Sequence, residues 1–529
     1  MSEAGSEPAS EAGGQADEQP GSQAGAASGE RTHREIQIIL VGLMLGMLLP
    51  AMTMTVVSTA LPAIVSDLGG ISQLPWVVTA YLVAATVAVP LVGKASDVIG
   101  RRPLFLAAIV GFVIGSLLCG IAQTMGQLIA ARAVQGVAGG ALMALAQATI
   151  GDVVSPRQRG RYQGYIGAVF AVSSVAGPLI GGVVADQLSW RWVFFLNIPL
   201  GVAAFLVTRR FLRLAHQRRA VRIDALGAAL VVVGATALLL LASWGGQELP
   251  WRSPVILGLA AVALASVVAL VPVERRAAEP IIPLRLFREP VFTIGSALTF
   301  LVAAGMFGAI VFLPTFLQIA SGVSATASGL TLLPLMSALL VATTVSGRLI
   351  TRWGRYKAFP VLGTALLLAG FALLATMTAD TPVPQIAAYL VLVGLGIGMT
   401  MQNVVLAIQN AVPTGDLGAA TAAAQFFRMI GGTLGLAAFG TAMTLRLSQW
   451  AERALPGGEL PGGLELDLVA SDPTAIARLP DGLQEALREG LATSITFTFL
   501  VSVPLLVLAF VLALRLRAVP LRETAADRR

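Results

Sequence analysis

Two arginines, Arg132 and Arg428, lie inside long apolar stretches of this 529-residue chain. A cation in hydrocarbon costs roughly 2.5–3.5 kcal/mol even on lenient insertion scales, so such a residue faces a protein interior or a watery cavity and works there. Neutral polar residues sit at comparable depth: Thr53, Gln135, Gln318, Gln402, Asn403 and Gln425. Amides and hydroxyls in an apolar setting suit hydrogen bonding to neutral or amphipathic solutes, although each could equally join two helices. With Arg428 they are the candidates for a substrate cavity. No apolar stretch holds an acid near its middle. The acids lie at the margins: Asp67, Asp97, Asp152, Asp186, Asp224 and Asp416. Asp186 is the candidate proton acceptor facing one side and Asp97 its counterpart on the other.

These residues must be held by membrane-spanning helices. The chain is 56% hydrophobic and 12% charged, where soluble proteins carry about 25% charged residues. Fourteen apolar runs, near 36–62, 74–92, 103–123, 127–150, 161–185, 192–212, 223–243, 253–273, 290–318, 328–349, 357–378, 384–411, 416–445 and 492–516, each approach the ~20 residues that span a bilayer. No soluble core buries so many helices with so few polar faces. The expected fold class is an all-α polytopic membrane protein.

The net charge of +7 reflects orientation rather than a nucleic-acid partner. With the N-terminus cytoplasmic, the inside loops carry 27 of the 35 Arg and Lys residues and the outside loops carry 6. That bias places both termini in the cytoplasm of a cell (inner) membrane protein. Residues 1–30 hold six acids and no base, the composition of a disordered tail. The single cysteine, Cys119, excludes a disulfide framework, and the two histidines have no metal-ligand spacing. No nucleotide-binding loop of the G-x-x-x-x-G-K-[ST] kind occurs, so ATP is not the driving force. Neither a cofactor nor a metal is expected.

The runs fall into a 6+2+6 order. A tail (1–35) precedes a six-helix half (36–213). Two linker spans and a loop follow (214–289). A second six-helix half (290–517), with a long outside loop at 446–490, leads to a tail (518–529). A faint repeat supports the layout: Gly93-Lys-Ala-Ser-Asp97-Val-Ile-Gly100-Arg101-Arg102 after span 2 is echoed by Gly347-Arg-Leu-Ile-Thr351-Arg-Trp-Gly354-Arg355 after span 10. Two related halves with a site between them at mid-membrane form a transporter architecture.

Three segments combine chemistry with close packing. In the first loop, Asp97 can accept from N–H groups at a helix N-terminus or pair with Arg101. In span 4, Arg132, Gly136, Gly140, Ala144 and Ala148 follow at i+4 steps on one helical face. That small face packs closely and turns Arg132 inward. In span 5, Ser173, Gly177, Gly181 and Ala185 form a second small ridge, with Gly182 beside it and Pro178 bending the helix.

These segments resemble the major facilitator superfamily, and within it the fourteen-span drug:proton antiporters of the EmrB/QacA type. Gly93–Arg102 matches the span 2–3 signature. Arg132 with Gln135-Gly136 matches the span 4 signature. Gly177-Pro178-x-x-Gly181-Gly182 matches the span 5 signature of antiporters, with Ser173 where a glycine is usual. Trp190–Gly201 and Gln425–Gly432 resemble further fourteen-span features. The resemblance implies two six-helix halves plus two central spans. It assigns Arg132 to proton coupling, Asp97 with Arg101 to conformational switching, and the span 5 bend to sealing one side.

One departure stands out. Family members commonly carry an acid in span 1 before Ala-Leu-Pro; here Thr53 occupies that position. Threonine neither titrates nor balances a cation, which sets the usual coupling to protons and the preference for cationic drugs in question. The expected protein is not an enzyme. It is a monomeric exporter of small hydrophobic or amphipathic compounds that works by alternating access against protons. A lipid or glycolipid exporter of the same fold is the first alternative, and a non-transporting scaffold or sensor the second.

Overall fold

The computed structural model describes residues 33–69, 73–154, 156–212, 224–246, 248–323, 325–454 and 481–521. Helices α1 (His33–Leu68), α2 (Leu74–Ile99), α3 (Arg101–Gly120), α4 (Met125–Val153), α5 (Pro156–Gln187), α6 (Arg191–Phe195) and α7 (Asn197–Phe211) come first. Helices α8 (Ala225–Trp244) and α9 (Pro254–Arg276) pair with each other. Then come α10 (Pro290–Ile319), α11 (Ala325–Thr331), α12 (Leu333–Trp353), α13 (Ala358–Leu374), α14 (Val383–Ala411), α15 (Leu417–Ala454) and α16 (Asp481–Arg515). Thirteen spans among the described residues are long and apolar enough to cross a membrane, and α13, with 17 residues, is a shorter apolar helix beside them. They fall on the fourteen runs expected from hydropathy, so this is a multi-pass membrane protein.

The ridges of small residues do pack closely. On α4, Gly136 and Gly140 lie against the backbone of Tyr81 and Ala85 on α2; a Cβ at Gly140 would come 2.8 Å from the Ala85 carbonyl carbon. The same contact recurs in the second half. Gly394 and Gly398 on α14 lie against Leu335 and Leu339 on α12, and a Cβ at Gly394 would come 3.0 Å from the Leu335 carbonyl carbon. This paired arrangement is the structural counterpart of the faint sequence repeat. On α5, Gly177 and Gly181 face Thr55, Val56 and Thr59 of α1, and Thr55 donates to the Ser173 carbonyl at 3.0 Å. Gly182 meets nothing within 4 Å. Pro178 and Asp186 belong to α5, but their side chains lie outside the described residues.

The expected loop at 446–490 is shorter than its sequence limits suggest. Helix α15 continues to Ala454 and α16 begins at Asp481; residues 455–480 lie outside the described part. The extensions form because Leu447 and Ala451 on one helix, and Leu487 and Leu491 on the other, repeat at i+4 and bury against each other and Ile319.

Candidate functional site

A cavity of about 640 Å³ lies at mid-depth between the two halves, within the 300–1,000 Å³ typical of small-molecule sites. Helices α1, α2, α4 and α5 line it from one half, and α10, α12, α14 and α15 from the other; Ala242 and Ser243 of α8 reach its edge. Its walls are mostly apolar and hold six methionines: Met54, Met143, Met306, Met336, Met401 and Met429. Thioether side chains are unbranched and polarizable, so they mould to different apolar shapes. The polar groups include Thr55, Tyr81, Thr343, Gln402, Gln425 and Arg428, the one formal charge among the described lining residues.

Three of the seven expected cavity residues are therefore in the lining: Gln402, Gln425 and Arg428. The other four are not among the lining residues. Thr53 turns toward α7, where its hydroxyl lies 2.8 Å from the Leu49 carbonyl and 3.2 Å from Asn197 Oδ1. One hydroxyl proton cannot serve both acceptors; a rotated Asn197 amide would instead donate Nδ2–H to Thr53, and Nδ2 is otherwise unpartnered. Asn403 joins α14 to α12 through Ser346 at 3.0 Å. Gln135 belongs to the Arg132 network, and Gln318 lies near the end of α10. Tyr81 and the methionines were not singled out by sequence, although mid-span methionines are a readable signal for an adaptable apolar wall.

Arg132 is fully enclosed, at 1% exposure, so it does not reach for a membrane surface. Its Nε donates to the Val77 carbonyl at 3.0 Å and its Nη1 to Gln135 Oε1 at 2.6 Å. The guanidinium lies 4.2 Å from the centroid of the Tyr81 ring. Gln135 in turn donates to Ser116 Oγ at 2.7 Å. Tyr81 lines the cavity while Arg132 stands behind it. The cation therefore meets the cavity through one aromatic ring.

The end of the bundle carrying the basic loops is closed across the two halves. Asp97 pairs with Arg101 at 2.6 Å, and its other oxygen accepts from the Ala419 N–H at 3.1 Å. Ala419 is the third residue of α15, so a carboxylate from one half caps a helix N-terminus of the other, where the macrodipole favours it. Arg101 also holds Asp152 at 2.8 Å and contacts Ser96 Oγ. Gly93 sits against Ala422 and Gly418, and Gly164 against Thr344. Deeper in this seam Gln409 of α14 donates to the Gln147 carbonyl at 3.3 Å, and Arg159 reaches Gln409 Oε1 at 3.5 Å. The loop after α9 touches both halves: Glu279 pairs with Lys94 of α2, and Arg285 with Asp416 ahead of α15 at 2.6 Å.

At the opposite end Asp67 accepts from Arg191 at 2.5 Å and from the Trp190 indole at 3.0 Å. The Arg191 hydrogen bond first, then that of Trp190, holds its carboxyl below the ordinary range.

Two packed sets of helices, a central cavity and one closed end are the parts of a membrane carrier. A profile of the Major Facilitator Superfamily matches residues 43–224 and 215–436. The chain belongs to that superfamily and is a transporter, not an enzyme. An uncharacterized MFS-type transporter of Mycobacterium tuberculosis is 43% identical over 494 residues, covering 93% of this chain and 71% of the relative. The multidrug transporter protein MdtP of Bacillus subtilis is 39% identical, covering 77% of this chain and 75% of its own. Multidrug resistance protein 3 of the same organism is 34% identical, covering 92% and 96%. Among solved structures, the proton:xylose symporter XylE superposes with a TM-score of 0.62 at 15% identity, covering 94% of this chain and 99% of its own. At that identity the likeness concerns the fold alone.

Proposed function

We propose that this protein exports small hydrophobic or amphipathic compounds across the cell (inner) membrane, as a monomer, by alternating access of the cavity coupled to proton entry. The observation that carries this reading is the mid-depth, largely apolar, methionine-walled cavity of about 640 Å³ lying beyond a closed basic end. The positive charge of its loops supports a cytoplasmic position for that end and for both termini. The names of the two Bacillus relatives agree with a broad substrate range.

In this reading the Asp97–Arg101–Asp152 cluster is the switch. Discharging Asp97 would remove its ion pair with Arg101 and weaken its cap on α15, which favours parting of the halves at the cytoplasmic end. Asp186 on α5 is the proposed proton acceptor facing outward, and the Gly177–Gly182 segment is the place where α5 flexes against α1. Transport in proteoliposomes, with and without an imposed pH gradient, tests the whole scheme. The probes are ethidium, pyrenebutyrate and the neutral dye Nile red. At least one should move faster when the gradient is applied; identical movement of all three in protein-free vesicles, with or without the gradient, removes the export reading.

Thr53 provides a second test. Its Asn197 partner is buried, so Thr53→Asp would place a titratable group beside a single amide. The variant is expected to export ethidium with a steeper pH dependence than the parent chain. An unchanged pH profile and substrate range would detach position 53 from coupling.

A further inference from the structure

Among the described residues the cavity holds one formal charge, Arg428, and no acid to balance it. Arg428, on α15, has its guanidinium carbon 6.0 Å from the centroid of Phe170, which lies on α5 in the other half. That is the outer limit of a cation–π contact. No carboxylate is among the cavity's lining residues, and among the described residues Arg428 has neither an ion-pair nor a hydrogen-bond partner. The neighbouring amides are equally unused. Gln425, one turn earlier on the same helix, is 1% exposed, and neither its Oε1 nor its Nε2 is partnered. Gln402 Oε1, from α14, is also unpartnered.

Burying polar groups without partners is costly, and burying a charge without one costs more. A guanidinium presents a planar fork of N–H donors that matches a carboxylate with two parallel hydrogen bonds. We propose that the cavity selects anionic amphiphiles. Their carboxylate would be held by Arg428, with an N–H from Gln425, and their apolar body would lie against the methionines and Phe170. A cationic compound would instead sit beside Arg428 with no acid to balance it. This inference rests on the export reading above and names the substrate class of that same cavity. It also gives the ligand contacts in both halves, α15 through Arg428 and α5 through Phe170.

The test is equilibrium binding of pyrenebutyrate, its methyl ester and pyrenebutylamine to the full-length chain in lipid nanodiscs, with empty nanodiscs subtracted. The three share one apolar body and differ in charge. Pyrenebutyrate should bind about tenfold more tightly than the ester, the increment of one charge-assisted contact, and more tightly still than the amine. Arg428→Gln should lower acid affinity about tenfold and leave ester affinity within about twofold, while Arg428→Lys, which keeps a point charge, should recover part of the loss. Ester binding by the variants shows that they remain folded. Equal affinity for acid and ester, tightest binding of the amine, or an Arg428→Gln loss shared by all three overturns the anion assignment. If the ester or amine binds but the acid does not, or if none of the three binds, the anion assignment falls while the export reading stands or falls on the proteoliposome assay above.

Discussion

Arg132→Ala is expected to reduce export by more than about tenfold, a loss of at least 1.4 kcal/mol of transition-state or conformational stabilisation, and to lower thermal stability as well. The side chain is enclosed and spends its donors on the Val77 carbonyl and Gln135 Oε1. Truncation removes a charge-assisted bond from each acceptor, at about 1–3 kcal/mol each, and leaves Gln135 Oε1 with only the weak Cys119 thiol donor at 3.9 Å. It also removes the surface on which the Tyr81 ring rests, and that ring lines the cavity. The effect on transport should therefore exceed what lost protein alone explains. Export normalised to folded protein in proteoliposomes, read beside thermal unfolding in detergent, separates the two. Arg132→Lys should recover only part of the loss, because an ammonium cannot reproduce the fork that bonds two acceptors while lying flat on a ring. Full export by the alanine variant would end any role for Arg132 beyond packing.

Gly93→Ala is expected to destabilise the closed basic end and to be rescued by a second change. An added Cβ at Gly93 meets the Ala422 methyl across the seam between the halves, with the Gly418 carbonyl 3.2 Å away. Overpacking of this kind costs about 1–3 kcal/mol, which displaces a two-state equilibrium about 5- to 150-fold. The bundle need not unfold to relieve it, since parting the halves at that end suffices. Maleimide labelling of Thr344→Cys, a position that faces Gly164 in the same seam, should accelerate from the basic side in a Cys119→Ala background. Adding Ala422→Gly removes the colliding methyl and should return labelling to the parent rate. Acceleration that persists in the double variant would mean that the seam is not held at this contact.

Sequence exposes different parts of this molecule to different degrees. Hydropathy locates the spans well because a bilayer demands a long apolar run from each helix independently. The i+4 ridges on α4 and α5 also declare themselves, since small residues at that spacing can only serve close approach. That Asp97 would cap a helix or pair with Arg101 follows from its chemistry. Which helix it caps does not, because Ala419 lies 322 residues further along and belongs to the other half. The cavity is the least legible part. Gln402, Gln425 and Arg428 face it, whereas Asn403, adjacent to Gln402, turns to Ser346 on α12. Depth alone does not say which side of a helix meets a neighbour and which meets the void. The ends of α15 and α16 ran beyond their hydropathy limits for a related reason: amphipathic pairing at Leu447 and Leu487 extends a helix where apolar content has already fallen.

The loop after α9 holds both halves at once, Lys94 through Glu279 and Asp416 through Arg285. Parting at that end is thus a movement of three bodies, in which the linker pair must release one half or travel with it. The two ties differ in exposure: side-chain exposures are 7% and 33% for Lys94 and Glu279, against 66% and 9% for Arg285 and Asp416. Mobile ions screen the more exposed pair more strongly. The Arg285–Asp416 tie, with the more exposed cation, is therefore the weaker of the two in salt, and the linker tethers the amino-terminal half more firmly than the carboxy-terminal one.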